Sequence, residues 1–306
     1  MLVSTEDVLA KLRRDGYYVT SVSMGGADAV QFVLDVGRSL GELYIPKGCD
    51  PYQPVIRTAP AHTRRAAPFD RPEAIGWHGD FATYEDRPEL SLVYITRADP
   101  RGGDFGAWRL ASVARVVASL RATDNGRAAF DLLSREPFPF SYADGEAPRW
   151  FQVIETRPEG TLGFRFYIPS LRRGCIAEYG EVPSRITAAL AVVERAADDV
   201  AEVVSTPEGS LLVASNWFAL HDRIRQTISR RRPNREALLC FVARILPSIP
   251  LALAGYFRLI SWTALWGPAK LGTDDRLPQT QRGGLRRLGE LSPSRPDGSP
   301  GCPQES

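Results

Sequence analysis

The chain contains three histidines, His62, His78 and His221, and two of them sit in company that can do chemistry. His78 stands two residues before Asp80 in Gly76-Trp77-His78-Gly79-Asp80. In an extended segment residues i and i+2 project to one face, so an imidazole and a carboxylate can meet the same ion. His221 lies far along the chain, in Ser215-Asn216-Trp217-Phe218-Ala219-Leu220-His221-Asp222-Arg223, and can arrive on another strand. Two imidazoles and one carboxylate cap one face of an octahedron and leave three positions open, a donor set suited to ferrous iron that must also take up small ligands. The plain alternative is a hydrogen-bonded structural histidine with Asp80 as a turn or cap residue. His62, in Ala61-His62-Thr63-Arg64-Arg65, has no such motif and reads as a solvated loop residue.

The elements that must position these groups follow from hydrophobic periodicity. Ser4 or Thr5 followed by Val8, Leu9 and Leu12 predicts a capped amphipathic helix stopped by Gly16. Tyr17–Val22 is rich in β-formers, and residues 28–40 place Val30, Phe32, Val33 and Val36 on one side of a second helix. Residues 42–76 are rich in Pro, Gly and Arg without periodicity and predict a long loop, which in a compact domain points to function or mobility. Strands are expected at Leu90–Thr96, around Trp150–Glu155 and Leu162–Ile168, and at Ser210–Ala214 and Glu236–Arg244; helices are expected at 110–134, broken near Asp124-Asn125-Gly126, and at 184–200. The strands do not alternate regularly with helices, which favours an antiparallel barrel or jelly roll with flanking helices over a doubly wound sheet.

Composition excludes several classes. An apolar fraction of 43% and a charged fraction of 24% are those of an ordinary globular chain. A net charge of +2 with pI about 8.4 points to neither nucleic acid nor an acidic membrane. Of 38 basic residues only Lys11, Lys47 and Lys270 are lysines, a bias that coding composition explains. Cys49, Cys175, Cys240 and Cys302 form no CxxC pair and read as scattered thiols of a reducing compartment. The N-terminus turns acidic at Glu6 and Asp7 with no apolar core of a signal, so a cytoplasmic location is expected. Residues 246–266 are apolar but interrupted by Pro247, Pro250, Gly255 and Arg258, which predicts a helix packed on the domain rather than a membrane anchor. Residues 267–306, dominated by Pro, Gly, Ser and Arg, are expected to be a disordered tail.

Two longer blocks surround the histidines. Trp77-His78-Gly79-Asp80, Arg87-Pro88-Glu89 and Pro100-Arg101-Gly102-Gly103-Asp104 resemble the WHxD…P…P..GGDT block of the taurine dioxygenase-like (TauD/TfdA) family. Gly209-Ser210-Leu211-Leu212-Val213-Ala214-Ser215-Asn216-Trp217 with Leu220-His221-Asp222-Arg223 is similar to its GDLLLVDNR..LHGR block, in the style of the clavaminate synthase and asparagine oxygenase branch. The resemblance covers residues 1–245. It implies a mainly β fold with flanking helices, a double-stranded β-helix (jelly-roll, cupin-like) core, and an Fe(II)- and 2-oxoglutarate-dependent dioxygenase. On that resemblance His78, Asp80 and His221 are the iron ligands. The family also places an arginine 14–15 residues after the distal histidine to hold the far carboxylate of 2-oxoglutarate; Arg235 occupies that place, with Arg231 as the substitute. A planar guanidinium suits a carboxylate because it can offer two parallel charged hydrogen bonds.

The departures are specific. Phe105 stands where the family often has the Thr of GGDT, whose hydroxyl helps the arginine; Ser91 and Thr96 are the hydroxyls on the neighbouring predicted strand. Trp217 replaces the usual Arg after Asn216, and Asp222 the usual Gly after His221. Arg223, Arg225, Arg230, Arg231, Arg232 and Arg235 crowd thirteen residues, but without interleaved aromatics the run reads as a solvated loop carrying one cosubstrate arginine, with attraction of an anionic substrate as an alternative. The expected reaction is hydroxylation of an unactivated C–H bond of a small amino acid or natural-product intermediate, with O2 consumed and succinate and CO2 released. Asp80 argues against halogenation, which needs a small residue there. Loop 42–76 and residues 135–158 are the expected substrate walls. No nucleic-acid partner is expected. The alternative is a non-catalytic jelly-roll module that binds a metal or small molecule, kept open by Phe105.

Overall fold

The computed structural model describes residues 3–24, 28–58, 67–158, 160–229 and 231–246. His62, Arg230, Cys302, nearly all of the apolar segment 246–266 and the whole tail 267–306 lie outside the described residues. Along the chain run α1 (Thr5–Asp15), β1 (Tyr17–Ser21), α2 (Ala29–Leu40), β2 (Gly41–Tyr44), β3 (Ile56–Arg57), β4 (Leu90–Arg97), β5 (Trp108–Ser112), α3 (Val113–Arg121), α4 (Asp124–Arg135), β6 (Pro137–Phe140), β7 (Arg149–Gln152), β8 (Ile154–Thr156), β9 (Leu162–Phe164), α5 (Ile168–Tyr179), α6 (Ser184–Val200), β10 (Glu202–Val204), β11 (Ser210–Ser215), β12 (Ala219–Arg223) and β13 (Glu236–Ile245).

The main sheet has the order β1-β11-β4-β13-β2, with β3 also pairing β13, and every pairing is antiparallel. Its central strands are apolar on both faces, and strand alternation explains why. In β13, Leu238, Cys240 and Val242 join a cluster with Val8 and Leu12 of α1 and Val33 and Leu34 of α2. The alternate residues Ala237, Leu239 and Phe241 point the other way and pack with Trp108 and Leu110 of β5 and Ala219 of β12. The second sheet, β10-β5-β12, is therefore stacked against the inner face of the first. Its own far side, with Ala111 and Leu220, packs into the cluster built by α3 to α6. The small ladders β6–β7 and β8–β9 join that cluster through Phe138, Phe140, Ile154 and Phe164.

Capping chemistry sets the helix ends. Ser4 accepts from the Asp7 N–H at the start of α1, and Asp28 accepts from Val30 and Gln31 at the start of α2. The break in 110–134 falls at Ala122-Thr123 rather than at Asp124-Asn125-Gly126, because Thr123 caps α4 and the Gly126 N–H bonds its hydroxyl. Residues 110–112 belong to a strand, not to that helix, since they pair with β12. Nor is 42–76 structureless, for β2 and β3 add to the main sheet there. Helix α5 was not expected. Its Leu171, Gly174 and Cys175 are buried, but its amphipathic stripe is narrow. Cys175 and Cys240 are buried free thiols as expected, whereas Cys49 is disulfide-bonded.

Gly16 terminates α1 at φ +82°, and its carbonyl accepts from Ser215 at the end of β11. A Cβ there would lie 2.1 Å from the Phe218 carbonyl oxygen, in the turn that leads to His221. Gly16→Ala combines a left-handed conformation with a backbone collision. It is expected to destabilise the fold by more than about 1 kcal/mol, read as a lowered midpoint in chemical denaturation.

Candidate metal centre

The two histidines are joined through the backbone before their side chains meet. The His78 N–H donates to the His221 carbonyl at 3.0 Å, and the His221 N–H returns a bond to the His78 carbonyl at 2.9 Å. This isolated antiparallel bridge sets the imidazole centroids 4.3 Å apart. A strand of any length is not what brings Asp80 to the same side, as the sequence spacing suggested. His78 makes only isolated bridges, to His221 and Tyr167, and the chain turns at once into Phe81, which has φ +58°. Phe81 is held there edge-to-face against Tyr44, Tyr84 and Phe241. A non-glycine residue in this conformation costs about 1–3 kcal/mol and persists only under such packing.

The result is a compact donor set. Asp80 Oδ1 lies 3.5 Å from His78 Nε2, and Oδ2 lies 3.6 Å from His221 Nε2. One ligand atom from each of the three residues falls within 4.8 Å of the others, close enough for all to bind one ion. His78 Nδ1 is 2.8 Å from the Gly76 carbonyl, which can only accept, so Nδ1 carries a proton and Nε2 is the nitrogen turned toward Asp80. Burial pushes the Asp80 carboxyl up, but His221 and His78 outweigh it and hold it well below the usual carboxylate range. His78 is raised, with Asp80 and the Gly76 carbonyl overcoming its burial; His221 is lowered by burial and by the neighbouring His78 charge. Two imidazole nitrogens facing one anionic oxygen ligand fit a divalent ion such as Fe(II).

A layer of hydrogen bonds fixes these donors. The Ser91 hydroxyl donates to Asp80 Oδ2 at 2.6 Å. Asn216 Oδ1 accepts from the Asp80 N–H at 3.2 Å while its Nδ2 donates to the Pro88 carbonyl. Asp222, one of the departures noted above, is fully buried: Oδ1 accepts from the Gly76 N–H at 2.8 Å and Oδ2 accepts from Arg109 Nε and Nη2 at 2.9 and 2.7 Å. The Gly76 peptide thus links the Asp222 carboxylate on one side to the His78 ring on the other. In the sequence Asp222 stands out only as a departure from the family pattern, and no local signal marks Arg109. Trp217, the other replacement, lies beneath Arg87, whose guanidinium carbon is 3.4 Å from a Trp217 ring centroid. His221 Nδ1 is buried without a hydrogen-bond partner among the described residues.

The donors open into one cavity between the two sheets. Thr58, Pro68, Phe69, Ile75, Val93 and Trp108 are among its walls, and Arg223, Arg235, Ala237 and Leu239 also face it. Loop 42–76 contributes as expected, but none of the described residues of 135–158 lines the cavity. Arg235 is 3% exposed, and its Nε and Nη2 are buried with no hydrogen-bond partner among the described residues. Burial, then the nearby Arg223 charge, pushes it down to about 9 against the pull of Asp99, so it stays cationic at neutral pH. A buried guanidinium with idle donors is costly unless an anion meets it. That orphaned cation, in the same cavity as the triad, is the feature that fits a carboxylate ligand. Arg231, by contrast, is exposed and does not line the cavity. Ser91 is engaged with Asp80, Thr96 with Glu236, and the Phe105 ring lies under Arg101.

The Ser91 contact yields a direct test. Ser91→Ala leaves Asp80 Oδ2 without its 2.6 Å donor; affinity for Fe(II), or for Co(II) as a spectroscopic stand-in, is expected to fall by roughly 10–100-fold with the fold intact.

No protein-family profile matches this sequence, and none of the curated proteins does. Solved structures do match by shape. A structure of asparagine oxygenase with Fe(II), 2S,3S-3-hydroxyasparagine and succinate superposes with a TM-score of 0.63 at 19% identity, covering 78% of each chain. The PvcB protein from Pseudomonas aeruginosa gives 0.57 at 17% identity, covering 78% of this chain and 80% of that one. The non-heme iron oxygenase OrfP with Fe, succinate and (3S)-hydroxy-L-Arg gives 0.55 at 14%, covering 78% and 77%. At these identities the likeness is one of architecture, and the chain has the fold shared by these iron-dependent oxygenases.

Proposed function

We propose that this chain is an Fe(II)- and 2-oxoglutarate-dependent oxygenase of the TauD/TfdA-like type, with residues 1–245 as its catalytic unit and a jelly-roll core. The observation that carries the reading is the sharing of one cavity by the His78–Asp80–His221 cluster and the unpaired Arg235 cation. Face-to-face stacking of the two antiparallel sheets around that cavity supports the jelly roll. Nε2 of each histidine and the Asp80 carboxylate would hold the metal, leaving the remaining positions to ligands. Arg235 would grip the far carboxylate of 2-oxoglutarate. Ferrous iron with 2-oxoglutarate and O2 supplies the oxidising chemistry, placing oxygen in a substrate C–H bond as succinate and CO2 leave.

The protein's own part is binding, orientation and exclusion of water. Ser91 and Asn216 hold the Asp80 carboxylate and backbone, the Gly76 carbonyl holds His78, and Phe69, Ile75, Val93, Trp108 and Leu239 keep the cavity walls apolar. The structural neighbours solved with hydroxylated asparagine and arginine support an amino acid, or a natural-product intermediate built from one, as the substrate. Among the described residues no helix is long and apolar enough to cross a membrane.

The test is succinate formation by Fe(II)-loaded protein given O2, 2-oxoglutarate and a panel of amino acids and their derivatives. Asp80→Ala is expected to abolish it and to weaken iron binding; normal turnover in that variant would refute the assignment. Arg235→Ala is expected to raise the 2-oxoglutarate requirement by roughly 10–100-fold, the worth of a hydrogen-bonded charge. Arg231→Ala is expected to leave it unchanged.

A further inference from the structure

Arg235 is a cation with idle donors, and the cavity it faces is also lined by a threonine hydroxyl. Thr58 follows β3, is 5% exposed and lines the same cavity. It is pinned to β13 by two bonds: its N–H donates to the Ala237 carbonyl at 2.9 Å, and its Oγ1 accepts from the Ala237 N–H at 2.8 Å. Ala237 lies two residues after Arg235, which stands just before β13, and both line the cavity. With Oγ1 acting as acceptor toward Ala237, the Thr58 hydroxyl hydrogen has no acceptor among the described residues and can donate into the cavity. The other hydroxyls near Arg235's strand are committed elsewhere: Ser91 to Asp80 and Thr96 to Glu236.

Gly106 completes the cradle. A Cβ at Gly106 would stand 2.9 Å from Arg235 Cδ and 3.0 Å from Nε, so the missing side chain is what lets the guanidinium stem lie against this turn. Phe105 beside it supplies no donor to the cavity. We propose that Thr58 is a carboxylate-binding residue: its hydroxyl and the Arg235 guanidinium together hold the terminal carboxylate of the 2-oxo acid, so that the second donor comes from the β3 edge. This rests on the reading of the cavity as a 2-oxoglutarate site.

The experiment is an anaerobic titration of the full-length Fe(II)-loaded protein, following the visible charge-transfer absorption of the bound 2-oxo acid. Two titrants are used: 2-oxoglutarate, and 2-oxobutanoate, which has the same chelating head without the second carboxylate. Thr58→Val is expected to weaken 2-oxoglutarate binding by about tenfold or more, the value of one hydrogen bond to a charged group, and to leave 2-oxobutanoate binding unchanged. Thr58→Ser is expected to match the wild type. Because Thr58→Val also strands the Ala237 N–H, Thr58→Cys serves as a second probe, retaining a weak acceptor there; severalfold weaker 2-oxoglutarate binding is expected. Wild-type affinity for 2-oxoglutarate in both the Val and Cys variants would overturn the proposal, as would equal losses for the two titrants. A wild-type protein that binds neither 2-oxo acid would instead bring down the oxygenase reading, and this one with it.

Discussion

Two backbone hydrogen bonds, one in each direction between His78 and His221, join parts of the chain that lie far apart in sequence. His221 belongs to β12, inside the second sheet; His78 sits in an irregular segment that pairs with it for a single residue. Everything else at the site is arranged about that bridge. On β12 the alternate residues Ala219, His221 and Arg223 face the space between the sheets, whereas Leu220 and Asp222 face the helical layer. A register slip of one residue would exchange these sets, placing His221 among helices and Asp222 in the cavity. The β5–β12 ladder prevents it, with His221 opposite Leu110 and Asp222 opposite Arg109. The geometry of the donors is thus a consequence of sheet register more than of side-chain packing.

The charges follow a simple order. Among the described residues that line the cavity, Asp80 is the only carboxylate, while Arg223 and Arg235 are both cationic. Arg223 spends its Nη atoms on backbone carbonyls of Pro68, Arg71, Glu73 and Ile224, so it organises the loop that walls the cavity. Arg235 makes no such bonds. A buried cation of that kind favours an anionic ligand, so the cavity combines a donor cluster suited to a metal with a cation suited to negative charge.

Much of the fold was legible in the sequence because the strands of the main sheet are long, apolar and bounded by turn residues. β4, β11 and β13 lie within two residues of the ranges that periodicity gives. His78, Asp80, His221 and Arg235 could be named because their spacing and flanking blocks are distinctive. Other parts left no trace in local pattern. β5 is five residues long and runs directly into α3, so helical periodicity absorbed it. β3 is two residues long and owes its existence to β13. Thr58 stands just beyond it, in a stretch of Pro and Arg where no period exists, and only the pairing of β3 with β13 brings it beside Ala237. The turn at Phe81 was equally hidden, since φ is set by the rings around it and not by the residue type.

Asp222 shows how a departure from a family pattern can carry structure instead of merely being tolerated. A buried carboxylate in place of glycine is expensive to desolvate, and an ion pair with Arg109 does not by itself make it favourable. Its position explains what the pair does: one oxygen holds the Gly76 N–H, whose peptide carbonyl in turn meets His78 Nδ1. The other is gripped by Arg109, which also reaches Asp198 at the end of α6 and lies over the Trp77 ring. Trp77 closes the circuit by donating to the same Asp198 carboxylate. The helical layer is thereby connected, through charged hydrogen bonds, to the tautomer and orientation of an imidazole in the cavity. A glycine at 222 could not do this, so the outer face of β12 contributes to the site as directly as the inner one.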